Sequence, residues 1–418
     1  MGPSGLREIS TRCCIVGGGP AGMMLGLLLA RAGIAVTLLE KHADFLRDFR
    51  GDTVHPSTLE VLRDTGLLES FLALPHREEQ QLMVQFADGM LAFADFRGLR
   101  PFPFLVFVPQ WDFLELLAGA ARRYPHYTLL MRAEAETLIQ EDGRVVGVRA
   151  DTADGPLEVR ADLVVGTDGR HSTLRAAAGL QPRQFGAPMD VLWFRISRRR
   201  SDPDQTFGIA GRGQMMALIN RNDYWQAGFI IPKGSGDARR RRPIMDFQAE
   251  IARVAPFLSG RTGEIRSWQD VSLLSVGVDR LERWHLPGLL LIGDAAHVMS
   301  PVGGVGINLA VQDAVAAANI VGPVLCDGKI PDERLLACVQ RRRMLPTRIV
   351  QGIQRLMQRN ILERVLSQEG PPPPAPAAMR FLFSFRFVRR IPARVFGLGF
   401  RRERVRLPAA PVVNQSVQ

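Results

Sequence analysis

The chain has 418 residues, 46% hydrophobic and 23% charged, with 53 Lys and Arg against 42 Asp and Glu. That balance excludes a disordered chain, a collagen-like repeat and a disulfide-stapled miniprotein, and supplies enough chain for one large domain or two medium ones. The net charge of +11 is unevenly spread: from Pro331 onward there are 17 Arg, no Lys and 5 acids, whereas residues 1–330 carry 36 basic and 37 acidic groups. A pI near 10.5 ordinarily suggests a polyanionic partner, but here the body is neutral and only the C-terminal 88 residues are basic.

The four cysteines make no framework. Cys13 and Cys14 sit in an apolar run, and Cys326 and Cys338 lack a CxxC spacing or nearby histidines, which predicts free thiols in a reducing compartment, no metal site and a cytoplasmic protein. Cys13 to Ala30 is long and uncharged, yet Gly17, Gly18, Gly19, Pro20 and Gly22 divide it into strand and helix. No other run reads as long enough to span a bilayer.

The first forty residues read as a βαβ unit: a strand over Arg12–Val16, the turn Gly17-Gly18-Gly19-Pro20-Ala21-Gly22, a helix over Met23–Ala32 stopped by Gly33, and a strand over Ile34–Leu39 ending in Glu40 and Lys41. In this GxGxxG pattern Gly17 allows the sharp turn, Gly19 lets the backbone approach a pyrophosphate on the helix N-terminus, and Gly22 lets helix and strand pack closely. Glu40, 23 positions after Gly17, is placed to accept hydrogen bonds from a ribose, and an acid there argues for NAD or FAD over NADP.

Two later segments repeat the logic of a buried strand delivering an aspartate to a turn. Leu157–Asp168 leads into Asp168-Gly169 and a helix containing Arg175. Gly288–Ile292 leads into Gly293-Asp294, then the loop Pro301–Asn308 with Gly304, Val305, Gly306 and Ile307, and a helix over Leu309–Ile320. A strand, a glycine-rich loop and a helix N-terminus point backbone N–H groups at a ligand.

Together these motifs resemble the FAD-dependent aromatic (class A) flavoprotein monooxygenases of the para-hydroxybenzoate hydroxylase type, over about residues 10–350. The resemblance implies that Gly17, Gly19, Pro20, Ala21, Gly22, Glu40 and Lys41 hold the adenosine diphosphate half of FAD. It implies that Asp168, Gly169 and Arg175 form the Asp-Gly motif, that Gly293 and Asp294 meet the ribityl chain, and that Pro301, Gly304, Val305, Gly306, Ile307 and Asn308 lie along the flavin. Arg50 matches a pyrophosphate-contacting arginine and Gln110 an FAD-binding glutamine. No second GxGxxG unit is found, so NADH or NADPH would bind transiently as co-substrate.

The implied fold is α/β: a Rossmann-like FAD-binding domain (10–180 and 270–330), an inserted antiparallel β-sheet substrate domain (181–269, with part of 80–110), and a basic helical C-terminal region (331–418). Asp190–Ser197, Met215–Asn220 and Tyr224–Pro232 alternate as such a sheet requires. Trp193, Phe194, Met216, Trp225 and Phe229 read as core, and Arg195 as either a substrate anchor or a solvent-facing side chain. The implied reaction is reduction of FAD by NAD(P)H, formation of a flavin C4a-hydroperoxide with molecular oxygen, and transfer of one oxygen to an aromatic, phenolic, polyketide-like or quinone-precursor substrate. The alternatives are an isoprenoid-type flavin reductase without oxygen insertion and a non-catalytic flavin-binding protein. No catalytic side chain is identifiable; His55, His76 and His297 are candidates for a base by type only.

The C-terminal region reads as an arginine-rich helix over Leu335–Ser367, then a stretch mixing Phe381, Phe383, Phe385 and Phe387 with Arg386, Arg389, Arg390 and Arg394. Arginine at this density cannot span a bilayer. Two readings stand: the phenylalanines pack on the body, or the region lies on an anionic membrane at its inner face. Nucleic acid is not expected, because no reading module is present. The oligomeric state stays open.

Overall fold

The computed structural model describes residues 6–46, 52–211, 213–359 and 374–410. Strand β1 (Arg7–Val16) leads through a glycine turn into helix α1 (Pro20–Arg31) and strand β2 (Val36–Glu40), which runs parallel to β1 with Cys13 opposite Val36 and Val16 opposite Leu39. The helix starts three residues before the apolar run predicts, because extended Gly19 caps it and Pro20 fills the first turn, where its missing N–H leaves nothing unpaired. Helix α2 (Pro56–Asp64) follows, then the hairpin β3 (Gln81–Phe86) and β4 (Gly89–Asp95), helix α3 (Gln110–Ala121) and strand β5 (Tyr127–Met131), parallel to β2. A meander of β6 (Ala133–Glu141), β7 (Arg144–Thr152) and β8 (Gly155–Gly166) brings β8 parallel to β1, from Arg7 opposite Leu157 to Val16 opposite Gly166.

The chain then forms β9 (Met189–Ser197), β10 (Phe207–Ala210), β11 (Met215–Asn220) and β12 (Tyr224–Pro232), helix α4 (Ile244–Val254) and β13 (Ser272–Leu274). With β3 and β4 these make a seven-stranded sheet in the order β13-β9-β12-β11-β10-β3-β4, antiparallel except where β10 meets β3. Strands β14 (His285–Leu286) and β15 (Leu289–Leu291) return to the first sheet, whose main path is β14-β15-β8-β1-β2-β5, with β7 on β8 and β6 on β7. Helices α5 (Gly306–Cys326), α6 (Glu333–Met357), α7 (Ala377–Ser384) and α8 (Arg386–Gly397) complete the described chain.

Two layers place the site. In the first sheet β1 lies between β2 and β8, so its C-terminal end is the crevice where a doubly wound sheet binds ligands. Cys13, Cys14, Ile15 and Val16 are all buried, as a central parallel strand requires, and α1 packs against α5 on one face. Helix α5 corrects the reading that no second run could span a bilayer: by length and composition it could, but 72% of its apolar stretch is buried and it serves as the core helix. In the second sheet one face packs on α4 through Phe194, Trp225, Phe229 and Phe247. The opposite face looks toward the end of β1.

The arginine-rich α-helix ends at Met357, and the part of the expected span from 360 to 367 lies outside the described residues. The basic region is tied to the body by ion pairs of Arg402 with Glu60 at 2.8 Å, Arg404 with Asp64 at 2.5 Å and Arg380 with Asp88 at 2.6 Å, and within the region Arg342 pairs with Glu403 at 2.6 Å. Phe396 is buried, while Phe381, Phe385 and Phe387 remain exposed. The packing reading holds for Phe396 but not for these three exposed rings.

Candidate active site

The glycine turn after β1 is built for close approach. Gly17 has φ of +106°, and a Cβ there would stand 2.5 Å from the Thr167 carbonyl oxygen at the end of β8, so only glycine lets the two strand ends meet. A Cβ on Gly22 would strike the Gly17 carbonyl; Gly22 therefore brings helix and loop together and is not itself on the cavity wall. Gly19 is different: a Cβ there would meet nothing within 4 Å, so the backbone faces open space at the N-terminus of α1. Glu40 is buried at the end of β2, where its carboxylate accepts hydrogen bonds from the N–H of Gly18 at 2.7 Å and of His42 at 3.0 Å. Oxygens so held still have lone pairs for a ribose hydroxyl.

The Asp-Gly and Gly-Asp turns stand beside this cradle. One oxygen of Asp168 accepts from the Leu174 N–H at 3.0 Å, the other has no hydrogen-bond partner among the described residues, and burial raises the carboxyl above its ordinary range. Gly169 lies next to it on the wall. Arg175 does not reach the cavity: it donates to the carbonyls of Ala295 at 3.1 Å and Arg170 at 2.6 Å, fastening one turn to the other. Gly293 is also behind the wall, packed toward Ala21 of α1, while Asp294 is on it.

What fixes the Gly-Asp turn is a buried network that sequence reasoning missed. Asp313 of α5, fully buried, accepts from the Gly293 N–H at 3.2 Å, pairs with His297 at 2.6 Å and receives Arg343 of α6 at 2.9 Å. These partners hold its carboxyl below the usual range despite burial. His297 is thereby a positioning residue for the turn rather than a base facing a substrate. The available signal was a lone aspartate in the helix Leu309–Ile320.

The loop 301–308 closes the far side. Pro301, Gly304, Val305, Gly306 and Ile307 line the cavity; Asn308 does not, because its side-chain oxygen accepts from Ser57 and Thr58, both at 2.7 Å, and anchors α2. His55, at the start of α2, places Nε2 at 3.1 Å from the Gly303 carbonyl and 3.2 Å from that of Gly304, and burial lowers its pKa to about 4. It acts as a neutral donor to the loop, away from the cavity. His76 pairs with Glu78 at 3.7 Å, also away from it. Lys41, Pro20, Ala21 and Gln110, at the start of α3, are on the wall. Arg50 lies outside the described residues.

From this cradle one cavity of about 1320 Å³ continues beneath the second sheet. Alternation decides which side chains meet it: Val191 and Trp193 of β9, Met215 and Ile219 of β11, and Gln226 and Ile230 of β12 line it, while Phe194, Trp225 and Phe229 point into the α4 core. The Trp193 ring lies across Gly228, where a Cβ would be 3.1 Å from it, and its buried Nε1 has no hydrogen-bond partner among the described residues. Trp193 thus leaves the expected core set. Arg195 lies beyond the cavity wall, stacked on Tyr224 at 3.8 Å and lining a separate surface cleft. Asp52 enters the wall where cradle and sheet meet, against Arg221 of the turn between β11 and β12, and Gln226 stands beside both. Helices α7 and α8 supply another wall through Met379, Phe383, Val395 and Phe396, residues that no motif marked.

These residues fit FAD: open space over Gly19 at a helix N-terminus, an unpaired buried oxygen on Asp168, and an acid at the end of β2. A family model described as an FAD binding domain matches residues 10–352. The chain belongs to this family. Among its relatives, the 6-methylpretetramide 4-monooxygenase of Streptomyces rimosus is 35% identical over 84% of both chains. Among solved structures, OxyS anhydrotetracycline hydroxylase of the same organism superposes with a TM-score of 0.74 at 25% identity, covering 93% of this chain and 76% of its own. PqsL of Pseudomonas aeruginosa, at 19% identity, shares the fold with a TM-score of 0.73 over 86% of this chain and 98% of its own. This flavoprotein is thus of the class A monooxygenase type, with the fold of that group.

Proposed function

We propose that the flavoprotein hydroxylates a polycyclic aromatic, polyketide-like substrate at the expense of NADH or NADPH and molecular oxygen, in the cytoplasm. The observation that carries this reading is the single cavity joining the dinucleotide cradle to an apolar sheet face: at about 1320 Å³ it has room for flavin and a multi-ring substrate together. Relatives named for a pretetramide and an anhydrotetracycline support the substrate class. FAD supplies the redox chemistry when bound, taking electrons from the nicotinamide and activating dioxygen.

The chain's own residues bind, orient and exclude water. The flat apolar wall of Val191, Met215, Ile219 and Ile230 favours fused rings, and the Trp193 N–H offers a donor to a ring carbonyl or hydroxyl. On the sheet side of the cradle the titratable group is Asp52, whose carboxyl burial raises despite Arg221, so it is suited to exchange a proton with a substrate hydroxyl.

The test is substrate-stimulated oxidation of NADH and NADPH by the FAD-loaded protein, across a panel of naphthacene- and anthracene-type phenols and single-ring phenols, with oxygen uptake and product mass followed together. The expected result is stimulation by multi-ring phenols and a product heavier by one oxygen. Reduction without oxygen uptake would make it a reductase, and no stimulation by any member would make it a flavin-binding protein without turnover.

A further inference from the structure

Helices α7 and α8 present two unlike faces. The inner face lines the cavity, as described. On the outer face the rings of Phe381 and Phe385 meet edge to face with centroids 5.3 Å apart, and Phe385 lies 5.7 Å from Phe387, yet Phe381 is 67% and Phe387 65% exposed. Three phenyl rings grouped on the surface of a protein whose other large aromatic side chains are mostly covered is the kind of patch that marks an interaction site. Leu382 and Ile391 belong both to this surface and to the cavity wall, so the patch runs up to the cavity mouth.

The charge around the rings selects the partner. Between Ala375 and Arg402 the chain has seven arginines and no acidic residue. Arg380 is paired with Asp88, but exposed Arg386 and Arg394 have no acidic partner among the described residues. On α8 the exposed stripe Phe387, Arg390, Ile391 and Arg394 repeats at helical spacing, opposite buried Ala393 and Phe396. A helix with aromatic and basic residues alternating along its outer face matches the boundary between acyl chains and anionic headgroups, where rings enter the apolar layer and guanidiniums meet phosphates.

We propose that the outer face of α7 and α8 docks on an anionic phospholipid bilayer, with Phe381, Phe385 and Phe387 inserted at the headgroup level and the cavity mouth facing that surface. The docking depends on the chemistry of α7 and α8 and holds whatever the reaction. Its test is co-sedimentation of the FAD-loaded full chain with vesicles of phosphatidylcholine alone and of phosphatidylcholine containing phosphatidylglycerol, at low and high salt. The expected result is binding at least tenfold tighter to the anionic vesicles, weakened by salt, and lowered at least tenfold in the F381S/F387S double variant and in R386E/R394E, with flavin content and melting temperature unchanged. Absence of binding to anionic vesicles at low salt overturns the proposal. So does loss of binding in R386E/R394E with none in F381S/F387S, which would mean a charged partner without insertion, such as an acidic protein.

Discussion

The Arg221 guanidinium lies against the Asp52 carboxylate, and both side chains are buried where the glycine cradle meets the second sheet. Arg221 also donates to Gln226 at 3.0 Å, and its charge reaches Asp112 at the start of α3. The pair therefore joins the loop before α2 to the β11–β12 turn. It holds the two layers at the spacing that defines the cavity.

Because both charges are out of water, removing one strands the other. Asp52→Asn and Arg221→Gln should each cost about 2–4 kcal/mol of unfolding free energy, with a coupling of about 1–3 kcal/mol in the double variant. Chemical denaturation of the three variants measures it. Additive losses would show that the two residues do not act as a pair. Asp52→Asn should also remove the lower limb of the pH profile for substrate-stimulated turnover, whereas Arg221→Gln should shift that limb rather than abolish it.

Trp193 and Gly228 set the width of the cavity. Gly228→Val should push the indole into it, raising KM for multi-ring phenols roughly tenfold or more and sparing single-ring ones, since overpacking displaces the flexible neighbour first. Trp193→Phe keeps most of the ring and loses the donor, so KM should rise about fivefold, the worth of one hydrogen bond. Equal effects of Gly228→Val on small and large substrates would place the substrate elsewhere.

Asp313 and Asp294 separate holding the turn from holding the flavin. Asp294→Ala should lower the flavin-to-protein absorbance ratio of the purified protein while leaving its unfolding transition in place. Asp313→Asn should lower flavin content and also destabilise the protein by about 3–5 kcal/mol, because His297 and Arg343 are left buried against a neutral group. A fully yellow Asp294→Ala protein would contradict the placement of the ribityl chain.

His55 predicts an acid limit. Burial lowers its pKa to about 4 from about 6.5 in an unfolded chain, so the unfolded state takes the proton first. Its contribution is complete above about pH 6.5 and is lost as pH falls toward 4, up to roughly 3 kcal/mol. Melting curves from about pH 7 to about pH 4 should therefore fall less steeply for His55→Gln than for the parent. Parallel curves would show that His55 is not the group titrating.

The amino-acid order made the cradle legible. Gly17, Gly19 and Gly22, with Glu40 closing the βαβ unit, then Asp168-Gly169 and Gly293-Asp294, are local signals: each is a buried strand running into a turn within a short stretch of chain, so short-range sterics fix the shape and pattern alone reveals it. The motifs overstated what reaches the cavity, since Gly22, Arg175, Gly293 and Asn308 are spent on packing and hydrogen bonds behind the wall.

The substrate side was not legible in the same way. Alternation along β9, β11 and β12 announces a two-faced sheet but not which face is which, because shifting a strand by one residue exchanges its faces. Only packing on α4 settled that Phe194 and Trp225 are core and Trp193 is wall. Asp52 with Arg221, and Asp313 with Arg343, lie far apart in sequence and gain meaning only when the layers close. The sequence by itself determined a flavin cradle and a neutral body with a basic C-terminal region. The tertiary structure decided that this region is both a wall of the cavity and an exposed surface, since one amphipathic helix face can be satisfied by the body while the other is left to its surroundings.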